Sequence, residues 1–161
     1  MDNFEAFSSA HWPSLVRTAY LLGCVPSDAE DCAQTALATM WEKWALVQRA
    51  GNPEAYAYRI LVNTVRRAQR RKWNGERPTG NLVRPEEAGR SQGDRDAMID
   101  LMSALRALPA DQRAVVVLRF LHDKSEAEIA DILDIPAGTV KSRSARAIRA
   151  LRAHISEEPP S

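Results

Sequence analysis

Apolar residues recur at three- and four-residue intervals along most of this chain, the spacing of helices that bury one face. Phe4, Phe7, Trp12, Leu15, Val16, Ala19 and Leu22 predict a first helix over residues 4–22. Ala33, Leu37, Met40, Trp41 and Trp44 predict a second over Asp28–Trp44. Its start carries Asp28, Glu30 and Asp31, where the helix dipole favours acids. Asn52 followed by Pro53 reads as a cap and first residue of a third helix running to about Lys72. Its buried face would hold Ala57, Tyr58, Leu61, Val65 and Ala68. Ala97–Leu108 and Pro109–Leu121 predict two further helices.

The pattern breaks over Asn74–Asp94, which holds four of the seven glycines, two prolines and many polar residues. That composition is a linker signature. The expected fold is all-α: two small helical domains over 1–74 and 96–157, joined by a flexible linker at 75–95, with a frayed tail at 158–161.

Residues 125–151, SEAEIADILDIPAGTVKSRSARAIRAL, predict two helices joined by a tight turn. Ser125 and Glu128 have capping-box spacing, and Ile129, Ile132 and Leu133 supply an apolar stripe. Asp134 tolerates a left-handed turn, and Pro136 suits the first position of the next helix. On that helix Val140, Ser144, Ala147, Ile148, Leu151 and Ile155 share one face; Lys141, Ser142, Arg146, Arg149 and Arg152 lie toward the other. A helix anchored on one side and cationic on the other can lie in a DNA major groove. A basic helix alone is more often a solvated face; the short turn and the preceding helix favour the DNA-binding reading.

Charge sharpens this picture. The net charge is only +1, but residues 61–75 hold five bases and no acid, as does Lys141–Arg152. Two cationic patches on a near-neutral chain suggest two anionic contacts. One lies on the third helix, where Tyr56, Arg59, Asn63, Arg66, Arg67 and Arg70 gather opposite the buried face. Arginines neutralise phosphates, Asn bonds base edges and Tyr stacks on unpaired bases. The bland reading is a solvated helix end.

Other chemistry is sparse. Cys24 and Cys32 lack the spacing and companions of a zinc site and read as small, reduced core residues, with a redox input left open. His11, His122 and His154 are scattered. There is no phosphate loop, dinucleotide fingerprint or nucleophile motif, so neither catalysis nor a cofactor or metal is expected. The N-terminal MDNFEAFSSAHW lacks signal-peptide segments, and no apolar run is long enough to span a membrane, which points to a cytoplasmic protein without stable membrane association of its own.

Three blocks together resemble the extracytoplasmic-function class of bacterial RNA polymerase sigma factors. DAEDCAQTALATMWEKW resembles the family's core-polymerase-binding helix, and NPEAYAYRILVNTVRRAQRRK the helices that melt and read the −10 promoter element. LPADQRAVVVLRFLHDKSEAEIADILDIPAGTVKSRSARAIRALR resembles the domain that reads the −35 element. HWPSLVRTAYLLG and RAVVVLRFLHDKSEAEIA are similar to the SigE-like actinobacterial subset.

The resemblance implies a noncatalytic polymerase subunit. Its −35 contacts would be Thr139, Lys141, Ser142, Arg143, Ala145, Arg146 and Arg149, with Arg143 and Arg149 on phosphates. Its −10 contacts would be Tyr56, Arg59, Asn63, Arg66, Arg67 and Arg70. Asp28, Asp31, Gln34, Thr35, Ala38 and Trp41 would meet core polymerase. The implied partners are the β′ clamp helices and β flap of core RNA polymerase, promoter DNA and an anti-sigma factor. The alternative is a stand-alone helix-turn-helix regulator, which leaves the second helix and the arginine face unexplained.

Overall fold

In the computed structural model, which describes residues 2–73 and 92–157, helices account for all the regular structure among those residues. They are α1 (Asp2–Leu21), α2 (Pro26–Glu42), α3 (Trp44–Ala50), α4 (Pro53–Trp73), α5 (Gln92–Ala107), α6 (Ala110–Val116), α7 (Glu126–Leu133) and α8 (Ala137–Glu157), with a π-helical turn at Val117–Leu121 after α6. Two compact units result, the first built mainly from α1–α4 and the second from α5–α8. The linker expected at 75–95 falls largely outside the described residues. Its last part does not: α5 begins at Gln92, so residues 92–95 are the first turn of a helix.

In the first unit α2 packs along α4. Ala29, Ala33 and Ala36 are fully buried, and Cys32 and Met40 complete the stripe. Small side chains here let the two helix backbones approach closely. This corrects the expected stripe: the buried line is turned toward Ala29, Cys32 and Ala36, leaving Leu37 half-buried and Trp41 44% exposed. Large apolar residues were expected inside, but the close approach selects alanines. The helix also ends earlier than expected. Lys43 takes φ −112°, the chain turns, and Trp44 opens the short α3.

Aromatic contacts seat α1 on this pair. Phe4 lies 5.1 Å from Trp41 and 5.2 Å from Trp44 between ring centroids, and Phe7 lies 5.6 Å from Trp44. Ser14 Oγ and Tyr58 Oη share a 2.7 Å hydrogen bond that links α1 to α4. Asn52 Oδ1 accepts from the Ala55 N–H at 3.2 Å, so α4 starts as expected. Its core face is Ala57, Tyr58, Leu61, Val62 and Val65; Ala68 is only half-buried. Cys24 and Cys32 are free and buried. Donation to Cys32, together with burial, pushes the Cys24 thiol up, while the same bond lowers Cys32.

In the second unit Leu105, Val115, Val117, Leu118, Ile129, Val140 and Ala147 are each fully buried. Burying each large member contributes about 1.5–3 kcal/mol. Arg113 crosses back to the end of α5, donating to the carbonyls of Leu105 (2.8 Å), Arg106 (3.3 Å) and Leu108 (2.8 Å). The Leu105 carbonyl also accepts from the Leu108 N–H at 3.1 Å, so Arg113 adds to the bonds that close this helix C-terminus. Among the described residues no helix is long and apolar enough to cross a membrane.

Candidate nucleic-acid interface

The helix-turn-helix is set by local chemistry. Ser125 Oγ accepts from the Glu128 N–H, and Glu128 Oε1 accepts from the Ser125 N–H, both at 3.1 Å. These bonds, backbone first, hold the Glu128 carboxyl below its ordinary value. Asp134 ends α7 at φ 55°. Pro136 stands one place earlier than expected: it caps α8, its carbonyl accepting from Val140 at 3.2 Å, and Ala137 is the first helical residue.

Val140 and Ala147 fix α8 to the core with no exposure, and Ser144 is buried beside them. Ser144 Oγ accepts from Arg119 Nη1 at 3.2 Å; the same nitrogen donates to Glu126 Oε1 at 3.0 Å. One guanidinium thus ties the π turn, α7 and α8 together. Ile148 and Leu151 are half-buried, but Ile155, expected inside, is 67% exposed. The last turn of α8 still borders α5, where Ser103 Oγ and His154 Nε2 lie 3.5 Å apart.

With its inner face fixed, α8 turns Lys141, Ser142, Ala145, Arg146 and Arg149 to solvent. Ser142 Oγ donates to the Thr139 carbonyl at 3.1 Å. Thr139 is half-buried at the first turn. Arg143 departs from this group. Four residues from Ala147, it falls about 40° from that buried position in projection. Its Nε meets Asp111 Oδ2 of α6 at 3.4 Å.

On α4, Asn63, Arg67 and Arg70 are exposed, and Tyr56, Arg59 and Arg66 are half-buried at the margins of the same face. The pattern of the sequence therefore brings these six residues to one side of one helix. Arg71, which it did not single out, joins Arg67 and Arg70 along a groove with Thr35 and Thr64. On α2, Asp31, Gln34, Thr35, Ala38 and Trp41 share the exposed surface. Asp28 is partly buried and ion-paired with Lys72 of α4, so its charge is directed within the domain. Arg113, Arg119 and Asp111 were also missed. Each acts on a partner in another helix or turn, and no helical spacing signals such a bond.

Residues 7–75 match the family model for Sigma-70 region 2, and residues 98–151 match that for Sigma-70, region 4. The chain is 35% identical over 151 residues to the RNA polymerase sigma-E factor of Streptomyces coelicolor, covering 92% of this chain and 84% of that protein. It is 30% identical over 145 residues to the ECF RNA polymerase sigma factor RpoE of Cereibacter sphaeroides, covering 83% and 76%. Among solved structures, the sigma factor RpoE in complex with the anti-sigma factor NepR from Bartonella quintana is similar with a TM-score of 0.78 at 25% identity, over 99% of this chain and 100% of that one. A stand-alone helix-turn-helix regulator is not favoured, because it leaves the region 2 match without a role. Core RNA polymerase and promoter DNA are the partners that two such domains imply. The chain belongs to the extracytoplasmic-function sigma factors of RNA polymerase, with α1–α4 forming its region 2 and α5–α8 its region 4.

Proposed function

We propose that this chain reads the −35 element with α8 and the −10 element with α4, while the exposed face of α2 engages the β′ clamp helices. The observation that carries the reading is the division of α8 into a buried line, Val140–Ser144–Ala147, and an exposed line, Lys141–Ser142–Ala145–Arg146–Arg149. The buried line fixes the helix; the exposed line offers cations, a hydroxyl and a methyl group, which between them match guanine edges, phosphates and thymine methyls. Lys141, Ser142, Ala145 and Arg146 are base contacts, and Thr139 and Arg149 phosphate contacts.

On α4, Tyr56 offers a stacking surface and Asn63 a base-edge partner for an unpaired −10 base. Arg59, Arg66, Arg67 and Arg70 supply positive charge along the strand. Phe120 and Leu121, 54% and 43% exposed on the π turn, give the second domain an apolar surface for the β flap. The first domain is 1–74 and the second 96–157, joined by a tether. The subunit acts in the cytoplasm without chemistry of its own. An anti-sigma factor is a further partner: two structurally similar proteins, RpoE and CnrH, were solved with NepR and with the cytosolic domain of CnrY.

Substitution of Arg146 by Ala tests the −35 assignment. Loss of a base contact costs about 1–3 kcal/mol on the cognate element and little on a scrambled one. Equal losses on both would make Arg146 a backbone clamp.

A further inference from the structure

Two thiols have no part in the binding surfaces described above. Cys24 and Cys32 are both free and both buried, at 5% and 4% exposure. The turn after α1 sets the first of them. Gly23 takes φ 111°, which glycine adopts without steric cost, and the Cys24 N–H returns to the Ala19 carbonyl at 3.2 Å. Cys24 thus stands at the end of α1, just ahead of α2. Cys32 lies on α2, in the buried line with Ala29, Ala33 and Ala36. The two sulfurs meet, and Cys24 Sγ donates a hydrogen bond to Cys32 Sγ. Alanine fills the neighbouring places of the same seam, so packing alone does not require sulfur there.

The bond makes the pair unequal. Burial disfavours a thiolate at either sulfur. At Cys32 the bond from Cys24 outweighs burial, and the thiol is held below its ordinary value. At Cys24 the same bond, with burial, pushes the thiol up. Nearby charges of both signs act on Cys32: Asp28 and Asp31 oppose its thiolate, and Arg71 favours it. One sulfur is thereby prepared as a nucleophile, while the other keeps its proton beside it. That arrangement suits the resolution of a sulfenic acid. The second sulfur is already in contact, and its proton is at hand for the departing oxygen.

We propose that Cys24 and Cys32 form a peroxide-reactive dithiol site, in which Cys32 is the attacking sulfur and Cys24 the resolving one. The Cys32 thiolate attacks one oxygen of hydrogen peroxide. The S–O bond forms, the O–O bond breaks, and the second oxygen leaves as hydroxide, which takes a proton from solvent. Cys32 is then a sulfenic acid. The Cys24 sulfur attacks the Cys32 sulfur, the S–S bond forms and the S–O bond breaks, and the hydroxyl leaves as water with the Cys24 proton. The thiols are oxidised to a disulfide and the peroxide is reduced to water. The bridge ties the end of α1 to α2, and the site does not depend on the DNA readings of α4 and α8.

The test uses the full-length chain. Reduced protein is exposed to hydrogen peroxide, quenched in acid, unfolded and alkylated with a maleimide. Wild type should take up no maleimide, lose the mass of two hydrogens, remain a monomer on a non-reducing gel and return to the reduced form with dithiothreitol. Cys24→Ser should stop at a Cys32 sulfenic acid that dimedone captures. Cys32→Ser should give no dimedone adduct at Cys24 under the same conditions. Cys24→Ala repeats the first variant without a buried hydroxyl, and the wild-type result needs no variant, which separates the chemistry from a folding defect. The oxidised chain should also melt several degrees above the reduced one, because a bridge across residues 24–32 restricts the unfolded chain. Full alkylation of peroxide-treated wild type would overturn the proposal and leave the pair as inert core. So would bridges formed only between chains, or dimedone capture at Cys24 equal to that at Cys32. A melting temperature lowered by oxidation would overturn it too, since the bridge would then form only at the expense of the fold.

Discussion

The guanidinium of Arg143 on α8 lies 3.4 Å from the carboxylate of Asp111 on α6. This cation sits in the middle of the basic run of α8, yet it is directed inward. The pair ties α8 to the helix beneath it, and the exposed positive charge of this run comes from Lys141, Arg146, Arg149 and Arg152.

Arg143 and Arg149 should therefore behave differently when each is replaced by Ala. Arg149→Ala should lower the salt slope of −35 binding by about 0.9 units, the value for one phosphate contact on duplex DNA. Arg143→Ala should leave the slope unchanged and reduce stability by about 0.2–1 kcal/mol, as for a partly exposed ion pair. Salt titrations of holoenzyme binding, paired with thermal unfolding, distinguish the two; a slope loss in Arg143→Ala would restore it to the phosphate contacts.

The bond from Arg119 to Ser144 supports the same helix from the other side. Ser144→Ala removes a buried hydrogen-bond partner and should cost about 1 kcal/mol. Arg119→Met removes both bonds and leaves the Ser144 hydroxyl buried without its donor, so it should cost more, about 1–3 kcal/mol. Denaturant unfolding measures both, and a smaller loss for Arg119→Met than for Ser144→Ala would contradict the shared role.

The capping box gives the second unit a pH dependence of known sign. Glu128 is held below its ordinary value by its bonds to Ser125. A depressed carboxyl contributes stability above its unfolded pKa and loses it as pH falls through the folded one. Glu128→Gln keeps an acceptor for the Ser125 N–H but cannot titrate. The stability of wild type relative to Glu128→Gln should fall on acidification through the carboxylate range. Parallel unfolding curves across that range would remove Glu128 from the pH response.

What was legible in the sequence was what neighbouring residues decide. The Ser125–Glu128 box, the Asp134 turn and the Asn52 cap each depend on a few adjacent positions, and each stands in the structure. The exposed line of α8 and the polar face of α4 follow from periodicity alone. What was not legible depends on distant partners. Arg143 reads as one more cation until Asp111 is beside it. The buried stripe of α2 is set by how closely α4 approaches, which favours Ala29 and Ala36 over the larger Leu37 and Trp41. Ile155 continues the apolar pattern of α8 yet lies on the surface, which periodicity alone does not reveal.

Promoter opening isolates the role of Asn63. Asn63→Ala should leave core binding intact, because the exposed face of α2 is a separate surface. The rate of open-complex formation should fall by about tenfold, for the loss of a contact worth about 1.4 kcal/mol. A pre-melted −10 element should recover only part of that loss, since it removes the unpairing cost but cannot restore a base contact. Full recovery would assign Asn63 to melting alone.

Promoter-directed transcription by purified components tests the division of labour most directly. Core polymerase alone, core with this chain, and core with the Arg146→Ala chain are compared on a cognate promoter and on one with a scrambled −35 element, with duplex binding by the free chain measured alongside. Start-site-specific transcripts should form only when core and chain are both present, the free chain should bind duplex weakly, and Arg146→Ala should erase most of the preference for the cognate −35. Tight operator binding by the free chain, with no change in the transcripts made by core, would contradict it.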